Sequence, residues 1–283
     1  MAPLSFRFGT VGSPISTPKK PGGSIGAVQQ LTALELSALE LGWVQSVRVT
    51  PETCEGIRKQ AEASGVGVSV HAPYFINLNA VEEEWPNSRK RLMDAAHYGN
   101  LAGATDIIFH PGSYFSQPPA DVLAVAIPRL RGCVEELRAA GNPVTLRPET
   151  MGKVAMLGSF EDTLAMSAAI PGVLPCLDFA HLHARAGDGT VNTEAEWTAR
   201  LQAYAAALGE EALQRLHIHL SGIEYNEKGE RNHLPLKESD LNLEGLFAAL
   251  KVMKCSGRIL CESPLMEEDA ITMRDLWRAM TAP

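Results

Sequence analysis

The sequence predicts a single (β/α)8 TIM barrel over residues 1–283, and three observations predict it. Eight short apolar runs rich in β-formers alternate with longer helical stretches, and no linker-like or low-complexity segment breaks the alternation. The repeat averages about 35 residues, the size of one strand, one helix and their loops in such a barrel. Two separate open sheets would need an interruption that this chain does not show.

The first strand is expected at Phe6 to Thr10, followed by a Pro-, Ser- and Gly-rich connection from Ser13 to Gly23 and a helix from Ile25 to Leu41 with Ser24 as its N-cap. The second strand is placed at Val44 to Val49, and Pro51 opens the helix after it. Gly67 to His71 forms the third strand, Pro86 precedes a helix from Ser88 to Ala102, and Asp106 to His110 forms the fourth. Asp121 caps a helix from Val122 to Ala140, which leads to the fifth strand at Val144 to Glu149. A helix from Phe160 to Ala169, a strand from Val173 to Asp178 and a helix from Glu194 to Leu208 follow. Leu216 to Leu220, a long connection from Ser221 to Leu241, a helix from Leu243 to Met253 and a last strand at Arg258 to Glu262 complete the count. Both long connections leave the carboxyl ends of strands, the side of a barrel where binding and catalytic loops sit.

With 25 Lys and Arg against 33 Asp and Glu, the chain carries a formal charge of −8, so no global basic field holds a polyanion and any nucleic-acid contact must be local. Lys19, Lys20, Arg48, Lys228, Arg231 and Lys237 are basic groups placed mostly on the long mouth loops, where they could meet phosphate. No apolar run approaches the ~18 residues of a membrane span, and Met1 to Ser5 do not begin a leader, so a cytoplasmic protein without membrane contact is expected. The five cysteines form no Cys-x-x-Cys pair and are expected as reduced, packed thiols.

Chemistry concentrates at the strand ends. From the third strand onward the closing residues are His71, His110, Glu149, Asp178, His219 and Glu262, and each can bind a metal. A barrel gathers its strand ends around one mouth, so residues distant in sequence converge there. Imidazole and carboxylate suit zinc and its first-row neighbours, and six such donors exceed the four of a closed mononuclear zinc site, which implies at least two ions. His181, three residues beyond Asp178, is a further ligand candidate. His217 shares a strand face with His219; His219, nearer the carboxyl end, is assigned to the mouth, with His217 as the exchangeable alternative one layer deeper.

Five segments carry a resemblance to the endonuclease IV family of apurinic/apyrimidinic endonucleases: His71-Ala72-Pro73-Tyr74-Phe75-Ile76-Asn77-Leu78, Phe109-His110-Pro111-Gly112-Ser113, Pro148-Glu149-Thr150, Cys176-Leu177-Asp178-Phe179-Ala180-His181 and Cys261-Glu262-Ser263-Pro264. The resemblance implies zinc, two or three ions, with manganese as the other candidate. It implies that His71, His110 and Glu149 hold one ion, and that Glu149 bridges to a second held by Asp178, His219 and Glu262. A third would use His181 with Glu230 and His233, which stand in Glu230-Arg231-Asn232-His233 where the family has Asp-Arg-His-His. Tyr74 matches the family's aromatic wedge, and Arg48 and Arg231 would contact the substrate. The implied activity is cleavage of damaged double-stranded DNA 5′ to an abasic site by a metal-activated hydroxide, with Glu149 as the catalytic centre. The loop after the first strand departs from the pattern: Gly9-Thr10-Val11-Gly12-Ser13 replaces a His-x-Ser motif.

The competing reading is a divalent-metal sugar isomerase or epimerase of the xylose isomerase-like superfamily, which shares donors equivalent to Glu149, Asp178, His219 and Glu262. His71 and His110 separate the two, because a second ion clamps both oxygens of a phosphoryl displacement while proton transfer on a sugar does not need it. A non-enzymatic scaffolding barrel is the third reading, and it predicts no ion retained through dialysis.

Overall fold

Parallel pairing is what the eight apolar runs achieve. In the computed structural model, which describes residues 5–282, strands β1 (Phe6–Val11), β2 (Ala38–Gly42), β3 (Gly67–His71), β4 (Ala104–Phe109), β5 (Thr145–Pro148), β6 (Leu177–Asp178), β7 (Leu216–Leu220) and β10 (Gly257–Cys261) form one sheet. Residues 1–4, which belong to the N-terminal stretch read above for a leader, and residue 283 lie outside the described residues. The strand order is β5-β4-β3-β2-β1-β10-β7-β6, all parallel, which is the cyclic order of a barrel. The seam between β5 and β6 is closed by parallel bridges of Leu146 with Val173 and of Glu149 with Cys176, and the amide of Cys176 donates to the Pro148 carbonyl at 3.0 Å. Pro175 interrupts the sixth strand because it has no N–H to give, so only Leu177–Asp178 is a continuous strand where six residues are expected.

The core lies between the outer face of this barrel and the surrounding helices. Phe6 meets Trp277 of α9 (Glu267–Thr281) edge to face at 5.0 Å, and Phe179 of α6 (Phe179–Ala186) meets Trp197 of α7 (Glu194–Leu208) at 5.3 Å. Such pairs contribute ~1 kcal/mol each beyond the area they bury. Pro51 opens α2 (Pro51–Ser64) as expected, and Thr50 caps it.

Several expectations are corrected. The first helix, α1 (Gly23–Ala33), starts before Ser24 and ends eight residues before Leu41. The second strand is Ala38–Gly42, not 44–49. The run Ala33-Leu34-Glu35-Leu36-Ser37-Ala38-Leu39-Glu40-Leu41 has strong helix formers, but Glu35 turns the chain at φ 56° and residues 38–41 are buried on both sides between β1 and β3. Sheet pairing overrides propensity there. Pro86 is the second residue of α3 (Trp85–Leu101), and Asp121 sits in the first turn of α4 (Pro119–Ala139) rather than capping it. The connection from 221 to 241 is not a loop: it contains an antiparallel hairpin, β8 (Gly222–Asn226) and β9 (Gly229–Leu234). All five cysteines are free and buried.

Candidate metal centre

At the carboxyl end of the barrel a cup of about 440 Å3 is lined by His71, His110, His181, Glu230, His233 and Glu262, with Tyr74 at its edge. Glu149 stands at its floor, fully buried. Its Oε2 lies 3.2 Å from His71 Nε2 and 3.4 Å from His110 Nε2. Its Oε1 lies 3.3 Å from His181 Nδ1 and 3.6 Å from His219 Nδ1. Around it, Glu262 Oε1 is 3.4 Å from His219 Nδ1 and Asp178 Oδ2 is 3.3 Å from His181 Nδ1. Toward the hairpin, His181 Nε2 is 3.2 Å from His233 Nε2 and 3.5 Å from Glu230 Oε2.

These donors fall into three overlapping groups, each with its ligand atoms within 4.8 Å of one another: His71, His110 and Glu149; Glu149, Asp178, His219 and Glu262; Asp178, His181 and His233. Glu149 belongs to the first two and Asp178 to the last two. All nine expected ligands are therefore brought to one place, Glu230 through its contact with His181.

The donor set fits cations on its own chemistry. His71 Nδ1 donates to the Ala72 carbonyl at 2.9 Å, His181 Nδ1 to the Thr150 carbonyl at 3.0 Å and His233 Nδ1 to the Glu262 carbonyl at 3.2 Å. Each carbonyl fixes the proton on Nδ1 of the neutral ring and leaves Nε2 bare. His181 and His233 then aim two lone pairs at each other across 3.2 Å, an arrangement that needs a shared proton or a cation between them. Glu149 Oε1, Asp178 Oδ2 and His219 Nδ1 are likewise buried without a hydrogen-bond partner, and such atoms are costly unless an ion or proton satisfies them.

Electrostatics follows the same logic. Burial alone would raise the Glu149 carboxyl, but the His110 and His219 rings outweigh it and hold it well below the usual carboxylate range. Burial pushes Asp178 up to about 6, against the pull of His181. His181 is raised to about 10 because Asp178, Glu149 and Glu230 together exceed the burial that would lower it. A cation held by these donors would compete with protons for the same lone pairs.

Local structure sets these positions. Asp178 ends β6 and caps α6, accepting from the His181 amide at 2.7 Å, which places both donors three residues apart on one side of the turn. Arg185, one turn further along α6, holds the loop after β5 by the carbonyls of Met151, Lys153 and Met156 at 3.1, 2.6 and 3.2 Å. The hairpin docks on that loop: a Cβ on Gly152 would sit 2.6 Å from Glu230 Cβ, and one on Gly229 would sit 2.1 Å from the Gly152 carbonyl oxygen. Only glycine at both positions lets β9 carry Glu230 and His233 to His181.

Two expected substrate contacts stand elsewhere. Arg48 is exposed in the segment after β2, and Arg231 pairs with Glu224 at 3.5 Å on the hairpin; neither lines the cup. Sequence reading also missed two residues. Lys153 lines the cup, and its signal was its place four residues beyond Glu149. Glu40 lies under the floor, fully buried, with Oε2 accepting from Ser69 Oγ and His217 Nε2, each at 2.8 Å, and Oε1 2.9 Å from His219 Nε2 in a close ionic approach off the N–H axis. His217 accordingly lies one layer below the cup while His219 faces it.

Comparison with known proteins agrees with this geometry. The chain is 38% identical over 267 residues to the uncharacterized protein MJ0133 of Methanocaldococcus jannaschii, covering 94% of each. It is 31% identical over 176 residues to endonuclease 4 of Thermus thermophilus, covering 59% of this chain and 61% of that one. The crystal structure of endonuclease IV from Thermus thermophilus superposes with a TM-score of 0.71 at 26% identity, over 95% of this chain and 98% of that one. A D-tagatose 3-epimerase-like protein superposes equally well, TM-score 0.71, at 17% identity over 95% and 96%, a likeness of fold alone. With the strands in barrel order, the donors at their carboxyl ends and the family description matched across residues 28–280, the chain belongs to the xylose isomerase-like TIM barrel family.

Proposed function

We propose that the protein is a metal-dependent phosphodiesterase that hydrolyses damaged double-stranded DNA on the 5′ side of an abasic nucleotide, with zinc or manganese held by the nine donors of the cup. The observation that carries this reading is the third donor group: two imidazoles with bare Nε2 atoms 3.2 Å apart beside Glu230, joined to the other two groups through Asp178 and Glu149. Proton transfer beside a sugar carbonyl needs one ion, and the donors for more than one are an expense that phosphoryl displacement explains. Divalent cations supply Lewis acidity, lowering the pKa of water toward about 7 and neutralising a phosphate's charge.

This chain's own groups do the rest. Glu149 keeps its two oxygens on opposite sides, toward His71 and His110 and toward His181 and His219, and so sets the spacing of the first two groups. The Tyr74 ring stacks on His110 with centroids 4.9 Å apart and planes 18° apart, yet stays 46% exposed. Burial pushes its hydroxyl up to about 12, so it offers a neutral flat face to an unstacked base step at neutral pH. Lys153 gives the rim a point charge for a phosphate. Arg48 and Arg231, outside the cup, serve phosphates further along the strand.

The test joins metal content to activity: elemental analysis after dialysis, and nicking of a duplex bearing one abasic analogue with and without chelator, with sugar epimerisation assayed on the same preparation. Two or three retained ions and chelator-sensitive incision are expected. Epimerisation without incision, or a single retained ion, overturns the reading.

A further inference from the structure

The opposite mouth of the barrel, where the strands begin, opens on a second cavity of about 290 Å3. Four arginines line it, Arg7, Arg147, Arg215 and Arg258, with Asp106 as their one carboxylate. Four cations against one anion leave an excess of three positive charges at this mouth, in a chain whose total is −8.

The four guanidiniums are not equally engaged. Arg147 is engaged at all three nitrogens: Nε donates to Asp106 Oδ1 at 2.5 Å, Nη1 to the Pro175 carbonyl and Nη2 to the Arg215 carbonyl, each at 2.9 Å. Arg258 gives Nη1 to the Val68 carbonyl at 3.1 Å and Nη2 to Thr105 Oγ1 at 2.8 Å, with Asp106 Oδ2 at 3.2 Å. Arg7 spends Nη1 on the carbonyls of Gly65 at 2.7 Å and Ser37 at 3.4 Å and keeps Nε and Nη2 unbonded. The Arg215 guanidinium has no hydrogen-bond partner among the described residues. The cavity therefore has a fixed cationic floor and two forked donors at its rim with N–H groups to give.

Gathering like charges in a wall of low dielectric is unfavourable unless an anion relieves it. Arg258 feels this directly: burial, with the nearby Arg147 and Arg7 charges, lowers its hold on its proton despite the opposing pull of Asp106 and Glu40. We propose that this mouth is an anion site that binds a phosphate group, free or as a small monoester. Forked guanidiniums pair bidentately with phosphate oxygens, and a doubly charged tetrahedral anion meets several forks at once where a single carboxylate meets one. The proposal is independent of the chemistry assigned to the metal cup at the other end of the barrel.

The test is calorimetric titration of the whole protein, as isolated, with inorganic phosphate and separately with glycerol 3-phosphate, at constant ionic strength set by chloride. The two probes distinguish the sources: binding of the first alone identifies free phosphate, binding of the second alone a monoester, and either supports the site. Arg7→Ala and Arg215→Ala are each expected to weaken that binding ~10-fold or more, the scale of one lost charge-assisted pair. Arg215 is exposed, so its variant keeps the readout valid should Arg7→Ala disturb the Gly65 contact. Incision of abasic duplex by Arg215→Ala should match the parent. Binding of neither probe, or binding that both substitutions leave unchanged, overturns the proposal, the second because it places the anion in the metal cup.

Discussion

Replacing Glu40 by Gln tests whether the metal centre extends below its ligands. The carboxylate receives His217 Nε2 at 2.8 Å on one oxygen and faces His219 Nε2 at 2.9 Å with the other. Burial would raise it, but His219 and His217 hold it well below the ordinary range, so it is an anion at neutral pH; burial drives His217 down to about 4, so that ring is neutral. Cys176 and the carboxylates of Glu40, Glu262 and Glu149 outweigh the burial that would lower His219 and hold it well above the ordinary histidine range, with Nε2 turned to Glu40 and Nδ1 to the cup, so a cation at Nδ1 displaces a proton. A glutamine has one acceptor and one donor in place of two acceptors. Whichever way it turns, one imidazole meets an N–H2. Exchanging the anion for a neutral amide removes roughly 1–2 kcal/mol of buried charge-assisted interaction around His219 and His217. At 1.4 kcal/mol per tenfold, the loss is ~10-fold in metal affinity, the lower end of the range for partners that stand behind a metal ligand. Competition against a chromophoric chelator reads the affinity, and the visible spectrum of the cobalt-loaded protein reads the ligand field at His219. Parental affinity together with a parental cobalt spectrum in Glu40→Gln would refute the role.

Four further outcomes are expected. Stripping the ions with chelator should lower the melting temperature by about 10 °C, since ligand at 1,000 times its Kd adds ~4 kcal/mol and each kcal/mol is worth ~2–4 °C in a chain of this size; an unchanged melting curve on verified metal-free protein speaks against the cup as an ion site. Glu230→Gln combined with His233→Ala should lose one ion equivalent by elemental analysis while the others stay, and a full complement contradicts a hairpin-held ion. Tyr74→Ala should raise KM for abasic duplex ~10-fold, the lower part of the range for one lost base stack, with kcat and metal content little altered. Asp106→Asn should cost ~3–5 kcal/mol at pH 7, because it strands the buried Arg147. Arg147 and Arg258 outweigh burial and depress the Asp106 carboxyl, so its stabilisation is present above the unfolded value near 4 and is lost as pH falls through the lower folded one. Urea titrations should therefore show the variant and parent converging below pH 4; parallel profiles exclude this pair as a source of acid sensitivity.

The barrel was legible because its signal is redundant. Seven of eight strands can be located from apolar runs with turn residues on either side, and their number fixes the architecture even when one is misplaced. The misplaced one, Ala38–Gly42, shows the limit. Leu, Ala and Glu read as helix by propensity, and the information that makes them a strand lies in β1 and β3, which flank them in space. The hairpin at 222–234 was hidden differently: its turn, Asn226-Glu227-Lys228-Gly229, lacks the two-residue pattern that announces a tight hairpin, and the Asn226 Oδ1 bond to the Lys228 amide at 2.8 Å is a local fold of that turn alone.

The same contrast governs the site. Ligands at strand ends are readable because barrel geometry gathers whatever stands there, so six candidates could be named without knowing any distance; His181 followed from its place after Asp178, and Glu230 and His233 came from the family resemblance alone. Glu40 could not, since it sat inside a supposed helix and its partners, Ser69, His217 and His219, come from two other strands. Yet it is Glu40 that faces the Nε2 side of His219 and leaves Nδ1 turned to the cup. Cys176, His217 and His219 also approach one another within 4.8 Å in this layer. Burial drives the Cys176 thiol far above its ordinary range, so it stays protonated and does not compete as a thiolate for the ion. The layer below the ligands thus acts by charge placement: it sets the Glu40 anion against the Nε2 side of His219, turns Nδ1 to the cup and keeps the thiol neutral. That arrangement is set by contacts between strands, which no one-dimensional spacing records.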